Sequence, residues 1–170
     1  MSGARRGNGR PCIADTGRAS AAVPPPPNTG IPVVNNVREW GALADPSHDD
    51  APSIQQCIRD SAGVAVYFPP GTYRIDHIEP GLSLPSGTTL IGQGSLSILR
   101  SGDGSRGTLM ANEDLNGGNT DILIDNLGLD GNKAHATNSG TGLLKFGANL
   151  PTAHCERIFV RRVEGRGAGG

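Results

Sequence analysis

Several kinds of residue are scarce in this chain of 170, and each scarcity closes off a class of protein. Aromatics are limited to three Phe, two Tyr and one Trp, and the 15 Lys plus Arg are offset by 16 Asp plus Glu. A nucleic-acid binder relies on a basic face and stacking platforms, so nucleic acid is not an expected partner. The three cysteines, Cys12, Cys57 and Cys155, contain no CxxC pair, which excludes a disulfide scaffold and a zinc ribbon. No run approaches the roughly 18 consecutive apolar residues of a membrane span, so no membrane partner is expected either. A net charge of −1 supplies no self-repulsion, which argues against a wholly disordered chain.

What is abundant is glycine and proline, 26 and 13 residues, and they are unevenly placed. Residues 1–31 hold only Ile13, Val23 and Ile31 as aliphatics and end in the run Pro24 to Pro27. This stretch reads as a disordered, Pro-rich tail that favours extended polyproline II, and it lacks the apolar core of a secretory signal. Residues 32–63 predict a short strand around Val33, Val34 and Val37, then a helix from Asp49 or Asp50 to about Ser61, with Pro52 in its first turn. Ile54, Cys57 and Ile58 give that helix one apolar face, so Cys57 is expected to be a small buried hydrophobe.

From residue 64 the chain breaks into short β-like runs between Gly, Asn and Asp: VAVYF, TYRI, LSL, TTLIG, SLSILR, TLMA, DILI, LGL, GLLKF and RIFV. Three segments, TTLIGQGSLSIL, TDILIDNLGLDG and ERIFVRRVEGRG, form a loose repeat in which Ile91, Ile124 and Val160 correspond. Short strands separated by tight corners suggest a coil whose passes stack in parallel. Asn126 tolerates the left-handed conformation of such a corner, Gly94 sits at the matching place, and Arg162 suits it less well.

The block NVREWGALADPSHDDAPSIQQCIRDSAGVAVYFPPGTYRI, with LSLPSGTTLIGQGSLSILR and ILIDNLGLDGN after it, resembles the N-terminal portion of the pectin lyase-like, right-handed parallel β-helix superfamily. That group includes pectate lyase and rhamnogalacturonase-type domains, mannuronan epimerases and many phage tail spikes. The resemblance rests on Asn36, Val37, Trp40, Gly41, Ala42, Asp49, Asp50, Ile54, Ile58, Val66, Phe68, Pro69, Gly71, Thr72 and Tyr73, most of which have structural duties. ALADPSHDD departs from the usual Gly-Asp-Gly stretch. The resemblance implies an all-β fold, a single-stranded right-handed parallel β-helix with an N-terminal capping α-helix, cut off after about three rungs.

It also implies the N-terminal part of a polysaccharide-active protein, a lyase, hydrolase or epimerase on acidic glycans such as pectin or alginate. The alternative is a non-catalytic glycan-binding or structural β-helix, such as a tail-spike-like segment that trimerises. Either reading implies an extracellular or cell-surface setting, and the longer parent leaves room for calcium as a cofactor. Acidic sugars call for cations, and on this ground Lys145, Lys133 and Arg161, with Asp130 of the DGNK turn, are the substrate-binding candidates. The catalytic residues are not identified and no metal-ligand set is evident. Asp121, Asp125 and Asp130 could offer oxygens to calcium but lack the spacing of a known site. His48, His77, His135 and His154 show no recognisable partner. GDGSRG at residues 102–107 satisfies G-x-G-x-x-G, yet no helix-forming segment follows it.

Overall fold

The computed structural model of the protein describes residues 34–135 and 142–168. The expected tail, residues 1–31, lies outside the described residues. Ten strands and one α-helix follow: β1 Val34–Asn36, α1 Ala51–Asp60, β2 Ala65–Tyr67, β3 Gly71–Ile75, β4 Leu82–Leu84, β5 Thr89–Ser101, β6 Thr108–Asn112, β7 Thr120–Asp130, β8 Gly142–Lys145, β9 Glu156–Arg161 and β10 Glu164–Arg166. The runs expected as TTLIG and SLSILR fuse into β5, and DILI and LGL fuse into β7, because β5 and β7 pair with each other on both sides of the bend.

Every strand pairing is parallel. A seven-stranded sheet takes β1, β2, β3, β5, β7, β9 and β10, and a three-stranded sheet takes β4, β6 and β8. The chain alternates between them, and each return lands beside the strand of the preceding pass, so the passes stack as a parallel β coil. Alternation along each strand sends one set of side chains inward. In β7 these are Ile122, Ile124, Leu127 and Leu129, all at most 2% exposed, and they stack on Leu90 and Leu99 of β5. Phe68 and Tyr73 close the interior edge to face, with ring centroids 5.6 Å apart.

Register corrects the repeat by one residue. Ile124 stands beside Leu90 and Val160, whereas Ile91 stands beside Asp125. Leu90 points inward and is fully buried, while Ile91 faces out. The corner reading also needs correction at Arg162, which adopts the same left-handed conformation (φ 49°) as Asn126 (φ 58°) and Gly94 (φ 64°). Asn126 adds a hydrogen bond from Nδ2 to the Gly92 carbonyl at 3.0 Å.

In α1, Ile54, Cys57 and Ile58 are buried as their spacing requires. The acidic pair before it divides its labour. Asp50 occupies the N-cap position, yet its carboxylate accepts from the Leu43 and Ala44 backbone N–H groups, and Asp49 Oδ1 accepts from Ala51 N and Asp76 N. Gln55 donates from Nε2 to the Ser83 carbonyl at 2.9 Å and accepts from Ser83 N at 2.8 Å, which satisfies the free edge of β4.

Candidate functional site

Outward-facing residues of β3, β5, β7 and β10 line up across the larger sheet. Arg74 pairs in register with Arg100, Arg100 with Asp130, and Asp130 with Arg166. A parallel sheet puts such side chains in a column about 4.8 Å apart. Three guanidiniums and one carboxylate therefore share a single row.

Where β5 and β7 end, the turns beyond them wall in a cavity of about 160 Å³. It is lined by Thr72, Arg74, Arg100, Asp103, Asn132 and His135, with Pro46 and the start of the 101–104 turn completing it. The DGNK turn builds the far wall. Asn132 N donates to Asp130 Oδ1 at 2.9 Å, and Asn132 Nδ2 donates to the Ser101 carbonyl and to Asp103 Oδ1. Its left-handed backbone (φ 52°) lets one residue make all of these contacts.

Both arginines are held in place. Arg74 forks onto Asp76, with Nε and Nη2 each 2.8 Å from a carboxylate oxygen, and this ion pair raises its pKa further. Arg100 Nη2 donates to Asn132 Oδ1 at 2.7 Å, its Nε lies 3.9 Å from Asp130 Oδ2, and that Nε is buried with no hydrogen-bond partner. The Arg100 side chain is 40% exposed beside the cavity, so its guanidinium can meet an incoming anion there, while the buried Nε stays out of reach.

Beneath the turn, His77 is buried, and burial pushes its pKa below the ordinary value. Its Nδ1–H donates to the Arg106 carbonyl at 3.0 Å, which leaves Nε2 to accept from Ser101 Oγ at 3.0 Å. His77 thus ties the 101–106 turn together, and His154 pairs with Glu156 at 2.8 Å, so both histidines have partners that the sequence did not reveal. The GDGSRG segment is this turn, followed by β6 and not by a helix.

The candidates from sequence are thereby separated. Asp130 belongs to the arginine row and Lys133 lies exposed on the cavity-walling turn, with its backbone N bonded to the Gly167 carbonyl. Lys145 is exposed at the end of β8, on the smaller sheet, in register with Ala111. Arg161 sits on the first half of the larger sheet, where its Nη2 meets Asp125 Oδ2 at 2.9 Å. Arg74, Arg100 and Arg166 were missed. The signal that could have found them is register, since the three arginines fall at one strand position of successive passes.

Asp121, Asp125 and Asp130 do not come together as a calcium site. Each carboxylate is taken by arginine from the next pass: Asp121 by Arg157 at 2.5 Å, Asp125 by Arg161 and Arg162, and Asp130 by Arg166 at 3.0 Å. Among the described residues no three His, Cys, Asp or Glu side chains gather to hold a metal.

Comparison with known proteins places this geometry. Residues 34–148 match the family described as Rhamnogalacturonase A/epimerase, pectate lyase-like. The preneck appendage protein of Bacillus phage PZA is 31% identical over 136 residues, covering 76% of this chain and 15% of its own length. Mannuronan C5-epimerase AlgE1 of Azotobacter vinelandii is 32% identical over 154 residues, covering 80% of this chain and 11% of its own. The solved A-module of mannuronan C-5 epimerase AlgE4 from the same organism superposes with a TM-score of 0.70 at 27% identity, over 79% of this chain and 38% of that one. The chain thus spans 15% or less of the length of these two curated relatives.

Proposed function

Because this chain belongs to the Rhamnogalacturonase A/epimerase, pectate lyase-like family, we propose that it is the glycan-facing start of a right-handed parallel β-helix acting on an acidic polysaccharide. In this reading α1 caps the coil and strands β2 to β10 belong to its first rungs, about three in number. The observation that carries the reading is the cavity lined by both Arg74 and Arg100. A hexuronate carboxylate placed there meets the part-exposed guanidiniums of Arg74 and Arg100. Neutralising that carboxylate makes the adjacent C5–H more acidic, which is the demand shared by epimerisation and by lyase-type elimination. Asp103 and His135 are the lining groups able to take up a proton. Epimerisation is the favoured reaction, since relatives named as mannuronan C5-epimerases match over about four fifths of the chain. A polymeric glycan substrate fits an extracellular or cell-surface setting.

A second reading has its own support. The phage appendage relatives match at the same identity, and Asp121, Asp125 and Asp130 are all spent on ion pairs between passes. In that reading the coil is a glycan-binding or structural segment of a fibre, with a trimer as its assembly.

Titration of the chain with polymannuronate, polygalacturonate and neutral dextran separates these ideas. The proposal expects salt-sensitive binding to the two polyuronates only, with an Arg74→Ala/Arg100→Ala variant at least about tenfold weaker. Deuterium uptake at C5 during incubation in heavy water marks the proton-abstraction chemistry. Binding without any uptake favours the appendage-like reading, and equal binding by the double variant removes the cavity from the account.

A further inference from the structure

His77 makes four hydrogen bonds to the 101–106 turn. Its backbone N donates to Ser105 Oγ at 3.1 Å, and its carbonyl accepts from Arg106 N at 3.2 Å. The ring bridges the two ends of the turn, with Nδ1 at the Arg106 carbonyl and Nε2 at Ser101 Oγ, each 3.0 Å away. It is closely seated, since a Cβ built on Gly81 would stand 3.2 Å from His77 Cγ.

The turn borders two cavities. One is the cavity of about 160 Å³ that holds Arg74 and Arg100, and the other, of about 350 Å³, is lined by Asp76, His77, Ile78, Asp103, Gly104 and Ser105. Asp103 belongs to both. The turn is held to the far wall of the first cavity by Asn132 Nδ2 donating to Asp103 Oδ1 and by Gly104 N donating to the His135 carbonyl. The larger cavity gives solvent protons a route to a residue that is only 8% exposed.

One protonation state satisfies all of these contacts. A carbonyl only accepts, so Nδ1 carries the proton and Nε2 accepts from the Ser101 hydroxyl. A second proton puts an N–H on Nε2, aimed at Ser101 Oγ, and Ser101 is 1% exposed, with no solvent to receive its displaced hydroxyl proton. Asp76, Asp49 and Glu79 favour the charged ring, and Asp103 lines the same cavity. Among the cations, Arg74 is spent on Asp76, Arg106 lies on the turn itself, and His135 stands across it. Burial outweighs the carboxylates and holds the ring's pKa below its ordinary 6.5. Such a group contributes stability that is complete above 6.5 and declines as pH falls below it.

We propose that His77 is an acid-released clasp, whose ring takes up a proton through the larger cavity, lets go of Ser101 and so frees the turn that walls the Arg74 and Arg100 cavity. No glycan enters this inference, so it stands or falls apart from the proposed function.

Amide exchange of the full 170-residue chain, read by NMR at pH 7.5 and 5.5 and corrected for its intrinsic pH dependence, tests it. Opening at Gly102, Gly104 and Arg106 should increase about tenfold, the linkage limit for one pH unit, while Ile124 and Leu127 of β7 keep their protection. In His77→Asn a side-chain amide replaces the Nδ1 donor and nothing titrates, so the increase should vanish. If that variant fails to fold, Ser101→Ala decides, because the neutral ring then loses its donor and the opening should begin at higher pH. A flat wild-type profile overturns the clasp, as does an increase that persists in His77→Asn or an onset unmoved by Ser101→Ala.

Discussion

β7 and the β9–β10 stretch trace one path on successive passes, with matching left-handed corners at Asp121 and Arg157 and at Asn126 and Arg162, yet they are held by different forces. β7 is covered on both sides, by β5 and by β9 with β10, and its inward residues are almost fully buried. On the later pass Val160 is 44% exposed and Phe159 55% exposed. That pass keeps only the part-buried Ile158 and Val163 against the core and is otherwise tied on by charge, through Asp121–Arg157, Asp125 with Arg161 and Arg162, and Asp130–Arg166. Identical geometry thus carries apolar stacking in one place and an ion ladder in the next. Only the first should be costly to disturb and insensitive to salt.

The strongest way to break this comparison is at the shared inward column. Ile124→Ala should cost about 2–5 kcal/mol, and Val160→Ala below about 1 kcal/mol, because truncation costs scale with the burial and cavity created. Urea melts of the two variants measure both, and equal losses would mean that the two passes are packed alike.

Asp125→Ala comes next. It strips two arginines of their acceptor and should cost about 1.5 kcal/mol, the low end for charged hydrogen bonds, because Asp125 Oδ1 is buried and already lacks a partner. The same melt in high salt should shrink the difference, and a salt-independent loss would place Asp125 with the apolar column.

Acid separates the passes by region more than by magnitude. Arg157 beside Asp121 holds its carboxyl down at about 2, from the ordinary 3.8. A carboxylate with a depressed folded-state pKa contributes stability that is complete above its ordinary value and disappears as pH falls through the folded one. Amide exchange of β9 should therefore quicken between about pH 4 and 2, while β7 stays protected. The pair is half-exposed, so the effect is screened and local. Simultaneous loosening of both strands would count against the ladder.

The smallest expected effect is Arg162→Gly. Relief of a left-handed side chain opposes the loss of one contact to Asp125, and the net change should stay within about 1 kcal/mol.

Much of this was legible in the sequence and some was not, for physical reasons. The helix stripe at Ile54, Cys57 and Ile58 and the short β runs were readable because burial repeats with a local period. The one-residue error at Ile91 arose because TLI offers two adjacent aliphatics, and only stacking on Ile124 selects Leu90. Asp130 was found through its turn, DGNK, whereas Arg74, Arg100 and Arg166 lie in three separate passes and meet only across the sheet. Arg157, Arg161, Arg162 and Arg166 meet aspartates that stand 36 or 37 residues earlier, a separation that no local pattern reveals.

In the proposed function an acidic glycan meets this coil on the arginine face of the larger sheet. Chemical-shift mapping of the labelled chain with mannuronate hexamer tests it most directly. Shifts concentrated at Thr72 to Asp76, Ile98 to Asp103, Gly128 to His135 and Glu164 to Arg166 are the predicted result. Shifts confined to β6 and Lys145 of the smaller sheet would contradict it.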